Sequence, residues 1–299
     1  MHTKVEPDWE WYRSFLSVME HGSLSAAARA LGLGQPTVGR HIDGLEKALG
    51  LKLFTRSFDG YAPTDAALEL KPYAVGLSAT AAALRRAADS HGERVRGTVR
   101  VTASEVIGVE VLPPILANLR REHPELSVEL MLSNRIDDLL HREADIAVRM
   151  LPPTQAALVA KRIGGIELGM HAHQNYVERF GTPRTLQELN GHALVGYDRE
   201  NEMIRRLQKR FGAFARSSLA FRADSDLAQL AAIRAGFGIG ICQSALAKRD
   251  ANLVRILPRK FSLALDTWIA MHEDMRGNPR CSVTFSALAE GIAAYIENH

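Results

Sequence analysis

The sequence predicts an α/β chain made of an N-terminal winged helix-turn-helix, a long linker helix and a C-terminal domain of alternating strands and helices. Three observations predict it. Two short helical segments joined by a Gly-containing turn are followed by a hairpin signal within the first 63 residues. Apolar residues then recur at coiled-coil spacing from Leu70 to Ala88. From Arg96 onward, strand-like runs alternate with amphipathic helices.

The first helix is expected over Trp9–Met19, where Trp11, Tyr12, Phe15, Leu16 and Met19 follow the spacing of one helical face, and it should stop at Gly22. Ser25 is read as the N-cap of a short alanine-rich helix ending near Leu31, with Ala27 and Ala28 small enough for close helix crossing. After the turn bracketed by Gly32 and Gly34, a second helix opens at Gln35, with Pro36 in its first turn, where a missing N–H costs nothing. Its apolar stripe is Val38, Ile42, Leu45 and Leu49, so Gln35, Thr37, Arg40 and His41 should face away. Gln and Arg are side chains that pair with adenine and guanine in a major groove, and a recognition helix presents its first turn to the bases. The same residues would also suit the solvated surface of an ordinary three-helix unit.

Two short segments around Asp59-Gly60 read as the hairpin wing, with Arg56 placed to reach a phosphate. Net charge is only +3, yet between Ser25 and Phe58 the basic residues Arg29, Arg40, Lys47, Lys52 and Arg56 stand against Asp43 and Glu46 alone. Positive charge therefore gathers where a polyanion would bind. A helix opening at Thr64 and reaching about Ser90 carries Leu70, Ala74, Leu77, Ala81, Leu84 and Ala88 at steps of four and three, a dimer seam or a face packed on its own domain. Pro72 lies in its early turns.

Strands are expected at TVRVTA, LSVELML, ADIAVRM, IELGMHA, HALVGY, LAFRAD, GIGICQ and TWIAMH, with helices such as VLPPILANLRREH, DLAQLAAIRAGF and FSALAEGIAAYIENH between them. That alternation predicts a mostly parallel sheet covered by helices. Ligands bind such sheets at strand C-terminal ends. Those ends carry Ser104, Ser133-Asn134, Arg149, Gly196-Tyr197-Asp198 and Asp224-Ser225-Asp226. Arg149 would suit a carboxylate ligand, whereas the aspartates would receive an amine or cap helices, so the ligand's charge stays open.

The stretch FLSVMEHGSLSAAARALGLGQPTVGRHIDGLEKALGLKLFTR resembles the N-terminal signature of the LysR-type transcriptional regulators. The likeness lies in Gly-Ser before the second helix, the Ala-Ala core, Gln-Pro opening the recognition helix, then Leu-Glu, Leu-Gly and Leu-Phe-x-Arg. It covers about the first sixty residues in motif and the remainder in organisation. The resemblance implies a DNA-binding domain over 1–63, a dimerising linker helix over 64–92 and a two-subdomain effector domain similar to periplasmic binding proteins over 93–299. Subdomain I would span about 93–163 and 268–299, and subdomain II about 164–267, with crossings near Arg162-Gly164 and Ala264-Trp268. It makes Ser25, Gln35, Pro36, Thr37, Arg40, His41 and Arg56 the candidate DNA contacts. Ser104, Ser133 and Tyr197 fall where the family binds effectors, and Arg149 and Asp226 complete the candidate set. Gly34 and Gly39 depart from the Ser or Thr common at those positions.

The function expected is that of a sequence-specific, effector-modulated regulator. Its partners would be partly palindromic double-stranded DNA, a small molecule, further copies of itself as a homodimer or homotetramer, and RNA polymerase if it activates. No G-x-S-x-G elbow, H-x-x-x-H pair or dinucleotide fingerprint occurs, so no enzyme, metal or cofactor is expected. Cys242 and Cys281 are expected to be buried hydrophobes. With no apolar run of about 18 residues and no signal-peptide core, no membrane and a cytoplasmic location are expected. A transport-type binding protein and a ligand-independent DNA-packaging protein are the competing readings.

Overall fold

The computed structural model describes residues 6–57, 60–88, 95–134, 144–153, 158–200, 202–211 and 214–297. They form two compact units, the first ending at Ala87 and the second beginning at Ala88.

In the first unit, α1 (Trp9–His21) starts at Asp8, whose carboxylate accepts from the Glu10 N–H, and ends on Gly22 in the left-handed region. Helix α2 (Leu24–Leu31) is capped by Ser23, whose hydroxyl accepts from the Ala26 N–H at 3.2 Å. The expectation that Ser25 caps this helix is corrected: Ser23 has the extended backbone a cap requires, and Ser25 sits exposed in the first turn. Helix α3 (Gln35–Leu49) opens after Gly34 without a side-chain cap, with Pro36 in its first turn. Phe15, Val18, Ala27, Ala28, Val38, Ile42 and Leu45 bury the three-helix core, while Leu49 is only half-buried.

The wing pairs β1 (Phe54–Ser57) with β2 (Gly60–Pro63), from Phe54 opposite Pro63 to Ser57 opposite Gly60. Gly60 thus opens the second strand. A Cβ there would lie 2.7 Å from the Gly22 carbonyl oxygen, which accepts from the Tyr61 N–H at 2.9 Å. Only glycine lets the wing close on the end of α1. Helix α4 (Asp65–Ala88) is capped by the Thr64 hydroxyl, accepting from the Ala67 N–H, and runs through Pro72. Residues 89 to 94, where the helix was expected to end, lie outside the described set. Along the expected seam Ala74 is buried, but Leu77 and Leu84 are 46% and 73% exposed.

The second unit contains β3 (Gly97–Ala103), a π-helical turn (Ile107–Val111), α5 (Leu112–Glu122), β4 (Leu126–Leu132), β5 (Ile146–Arg149) and β6 (Leu158–His173). There follow α6 (Gln174–Phe180), β7 (Leu194–Gly196), α7 (Glu202–Phe211), β8 (Leu219–Arg222), α8 (Asp226–Arg234), β9 (Gly240–Gln243) and α9 (Ser244–Lys248). The chain closes with β10 (Leu253–Ile256), β11 (Leu263–His272) and α10 (Pro279–Glu297).

Seven strands form one sheet in the order β10-β6-β11-β5-β3-β4, with β9 also on β6. A mostly parallel sheet was expected, and the structure corrects this. Only β3 runs parallel to its neighbours β4 and β5, while β6 and β11 are antiparallel to every strand they touch. The reason is that β6 and β11 are long strands lying side by side in opposite directions, with a register break between Thr267 and Trp268. Trp268 there faces Arg162, and the Arg162 guanidinium meets Asp266 at 2.6 Å. A separate parallel pair joins β7 and β8. Apolar side chains gather in two clusters, one around Val101, Ile107, Ile146, Ile166, Leu288 and Ile292, the other around Met170, Leu194, Ile239, Ile256 and Phe261. Among the described residues no helix is long and apolar enough to cross a membrane.

Candidate functional site

Of the candidate DNA contacts, Gln35, Pro36 and Arg40 are exposed on the first turns of α3, and Thr37 is half-buried beside them. The Arg40 guanidinium rests on the Thr37 hydroxyl at 3.3 Å, an i, i+3 contact that extends it along the helix surface. His41 does not face away with them. It is half-buried, with Nδ1 2.8 Å from the hydroxyl of the fully buried Ser14 on α1. His41 comes three residues after Val38 and one before Ile42, so it flanks the apolar stripe and meets the neighbouring helix. A Cβ at Gly39 would touch only a Leu24 methyl at 3.7 Å, so the fold does not require glycine there. Arg56 lies in β1, and its side chain falls outside the described residues.

What holds α3 in place was not legible in the sequence. At Gly44 a Cβ would stand 3.1 Å from the Trp11 ring, so glycine permits the close crossing of α1 and α3. Glu46, only 7% exposed, accepts from the Leu53 N–H at 2.8 Å, the Phe54 N–H at 3.3 Å and the Lys52 ammonium at 2.5 Å. Burial alone would raise its pKa, but the Lys52 ammonium and those two amides outweigh it and hold the carboxyl below its ordinary value. Glu46 thereby ties the end of the recognition helix to the start of the wing.

In the second unit the strand-end candidates divide. Ser104 is half-buried just past β3, and its hydroxyl hydrogen-bonds to none of the described residues. Ser133 is half-buried and donates its N–H to the Ala103 carbonyl at 2.9 Å. Arg149 is nine-tenths buried and donates to the Thr102 hydroxyl at 2.8 Å and the Val148 carbonyl at 3.0 Å. Those bonds tie part of its guanidinium to the sheet.

Tyr197 and Asp226 are brought together with the strand-end residues Asn134 and Ser225 and with Glu105, which sequence reasoning did not name. The Tyr197 hydroxyl donates to one oxygen of Asp226, and the Asn134 amide donates to the other at 3.1 Å. Asn134 also accepts from the Glu105 N–H at 3.2 Å, and the Ser225 hydroxyl donates to the Glu105 carboxylate at 2.8 Å. A polar clasp therefore joins the loops after β3 and β4 to those after β7 and before α8. Burial, then the nearby Glu105 charge, pushes the Asp226 pKa up, and burial beside Asp226 pushes the Tyr197 hydroxyl far above its ordinary value. A second tie runs from Arg234 to Glu110 at 2.5 Å, with Arg249 donating to the Glu110 carbonyl. Among the described residues no group of three or more His, Cys, Asp or Glu could hold a metal ion. Both cysteines are buried, and burial pushes the Cys242 thiol up to about 12, which disfavours the thiolate.

Comparison with known proteins agrees with this organisation. The family pattern described as bacterial regulatory helix-turn-helix protein, lysR family, matches residues 9–68, and that of the LysR substrate binding domain matches residues 92–293. A probable HTH-type transcriptional regulator LtrA from Klebsiella pneumoniae is 26% identical over 300 residues, covering 94% of this chain and 93% of the relative. An HTH-type transcriptional regulator from Xanthomonas campestris is 30% identical over 178 residues, 60% of this chain, and the match spans 52% of that protein. In fold the chain is similar to full-length CbnR, solved in complex with its target DNA. The TM-score is 0.66 at 20% identity, with 97% of this chain and 99% of that one covered. The chain belongs to the LysR family of transcriptional regulators, with that family's helix-turn-helix ahead of its substrate-binding domain.

Proposed function

We propose that the chain is a sequence-specific DNA-binding regulator, without catalysis, whose activity is set by a small-molecule effector bound between two lobes of the second unit. The observation that carries the reading is the first turn of α3. Gln35 and Arg40 stand exposed there, on a helix fixed by the Gly44 crossing and the Glu46 tie. CbnR, of similar fold, has been solved on its target DNA, which supports the same role for α3. The domains follow as 1–63, 64–92 and 93–299, with the lobes exchanging chain along β6 and β11. Exposed Leu77 and Leu84 on α4 support a coiled-coil dimer or a tetramer built from it, and two copies would read a partly palindromic site. A cytoplasmic location follows from the DNA partner, and contact with RNA polymerase from an activating role.

For the effector, the clasp supplies the switching element. A ligand entering beside Ser104, Ser133 and Tyr197 would compete with the Asn134–Asp226 and Ser225–Glu105 bonds. It would shift the lobes only by as much as it prefers one arrangement over the other. The test is fluorescence anisotropy on the duplex upstream of the chain's own gene, repeated over a metabolite panel. The expected result is that at least one metabolite changes affinity or stoichiometry and that Ser104→Trp abolishes the response while basal DNA affinity persists. An unchanged response in Ser104→Trp removes Ser104 from the site. DNA binding that no metabolite alters, with no thermal shift, favours the packaging reading.

A further inference from the structure

The first turn of α10 holds an arginine whose burial no contact explains. Arg280 is 1% exposed, and its Nε, Nη1 and Nη2 atoms are all buried without a hydrogen-bond partner. One turn further on, Thr284 is fully buried and its hydroxyl also lacks a partner. At i and i+4 the two side chains share one face of the helix, which packs over α5, β3, β6 and β11. No acidic residue lies in this first turn, and no described carboxylate forms an ion pair with Arg280.

A guanidinium stays charged at every accessible pH, so it cannot escape burial by losing a proton as lysine or histidine does. Holding it desolvated and unpaired costs an appreciable share of a domain's whole stability. Among the groups buried around this turn, the guanidinium N–H groups and the threonine O–H can donate and stand at the positive end of a 19-residue helix, while the Asn278 Oδ1 just ahead of it is an acceptor. The complement to such a set is a negative charge. The enclosure, with Cys281 and Thr284 both at 0% exposure, limits its size.

We propose that the N-terminal turn of α10 binds a small anion, of carboxylate, phosphate or halide size, between the Arg280 guanidinium and the Thr284 hydroxyl. This site lies on a different helix from the clasp and does not depend on how the effector is read. The anion is part of the folded unit: it neutralises the one fully buried guanidinium found among the described residues and makes the stability of this unit depend on anion concentration.

The experiment uses the full chain exchanged into gluconate and titrated with bromide, acetate or phosphate at constant ionic strength, with the thermal midpoint as readout. The expected result is that at least one of the three raises the midpoint by about 4 °C per tenfold concentration above its dissociation constant. Arg280→Met, which keeps the volume and removes the charge, should be flat in all three. A response to bromide identifies a halide-sized site, and a response confined to acetate or phosphate identifies an oxyanion site. A wild-type midpoint indifferent to all three, or an equal response in Arg280→Met, overturns the proposal. Should Arg280→Met fail to fold, crystals of the wild-type chain soaked in bromide decide. An anomalous peak within hydrogen-bond distance of the Arg280 guanidinium supports the site, and no peak there after a bromide response in solution overturns it.

Discussion

Replacing Glu46 with alanine tests how the recognition helix is held. The carboxylate is the acceptor for the Leu53 and Phe54 amides, both belonging to buried residues, and for the Lys52 ammonium. Each buried N–H left without an acceptor costs about 1–3 kcal/mol, and the exposed lysine adds little, so Glu46→Ala should destabilise the N-terminal unit by about 2–6 kcal/mol. For a unit of this size that is a fall in midpoint of at least about 8 °C. Glu46→Gln keeps one acceptor oxygen and should lose about half as much. Trp11, packed against Gly44 on α3, reports unfolding of this unit by fluorescence, and hydrogen exchange at the Leu53 and Phe54 amides should accelerate in step. Because the folded carboxyl lies below its ordinary 4.5, its contribution is complete above about pH 4.5 and drains away as pH falls through the lower folded value. Glu46→Gln should flatten that acid limb. A Glu46→Ala protein within about 0.5 kcal/mol of wild type, with unchanged exchange at 53 and 54, would refute the reasoning.

Three further outcomes are expected. Tyr197→Phe removes a hydrogen bond to the half-buried Asp226 carboxylate and should cost the second unit about 1.5–3 kcal/mol in urea denaturation, whereas an unchanged midpoint would mean that the clasp holds nothing. Burial lowers the His171 pKa to about 4, so the folded chain keeps this ring neutral; the resulting stability is full above the ordinary 6.5 and declines as pH drops from there toward 4. Wild-type denaturation midpoints should therefore fall between pH 7 and pH 5, less so in His171→Asn, and parallel pH profiles for the two proteins would contradict this. Leu77→Glu with Leu84→Glu places charge on the exposed face of α4 and should leave the chain monomeric in analytical ultracentrifugation where the proposed dimer or tetramer forms in wild type, and a mass equal to wild type would place the interface elsewhere.

The helices of the first unit were legible because their periodicity and their glycine stops are local. The cap at Ser23 was missed because Ser23 and Ser25 carry the same chemistry two residues apart, and only backbone conformation separates them. Glu46 gave no sign of burial, since a glutamate on a helix normally points to solvent and its partners begin six residues later, beyond the helix end. In the second unit the strand positions were readable, but not their directions. Every residue of β5 is buried, so no alternation marked a face, and short elements such as β10 and α9 offered too few residues for a period. The clasp escaped because Glu105 and Ser225 are 120 residues apart, and Asn134 and Asp226 are 92 apart. Strand ends pointed to Tyr197 and Asp226 separately, and only the folded chain brings them together.

In the proposed function the first turn of α3 reads base edges. The most direct measurement is the affinity of wild type and Arg40→Ala, at one fixed salt concentration, for the duplex upstream of the chain's own gene and for a random duplex of equal length. A bidentate contact to a base is worth about 1–3 kcal/mol, so Arg40→Ala should weaken the upstream duplex by roughly 5- to 150-fold and leave the random duplex nearly unchanged. Equal losses on both duplexes, or a wild-type chain that prefers neither, would contradict the claim.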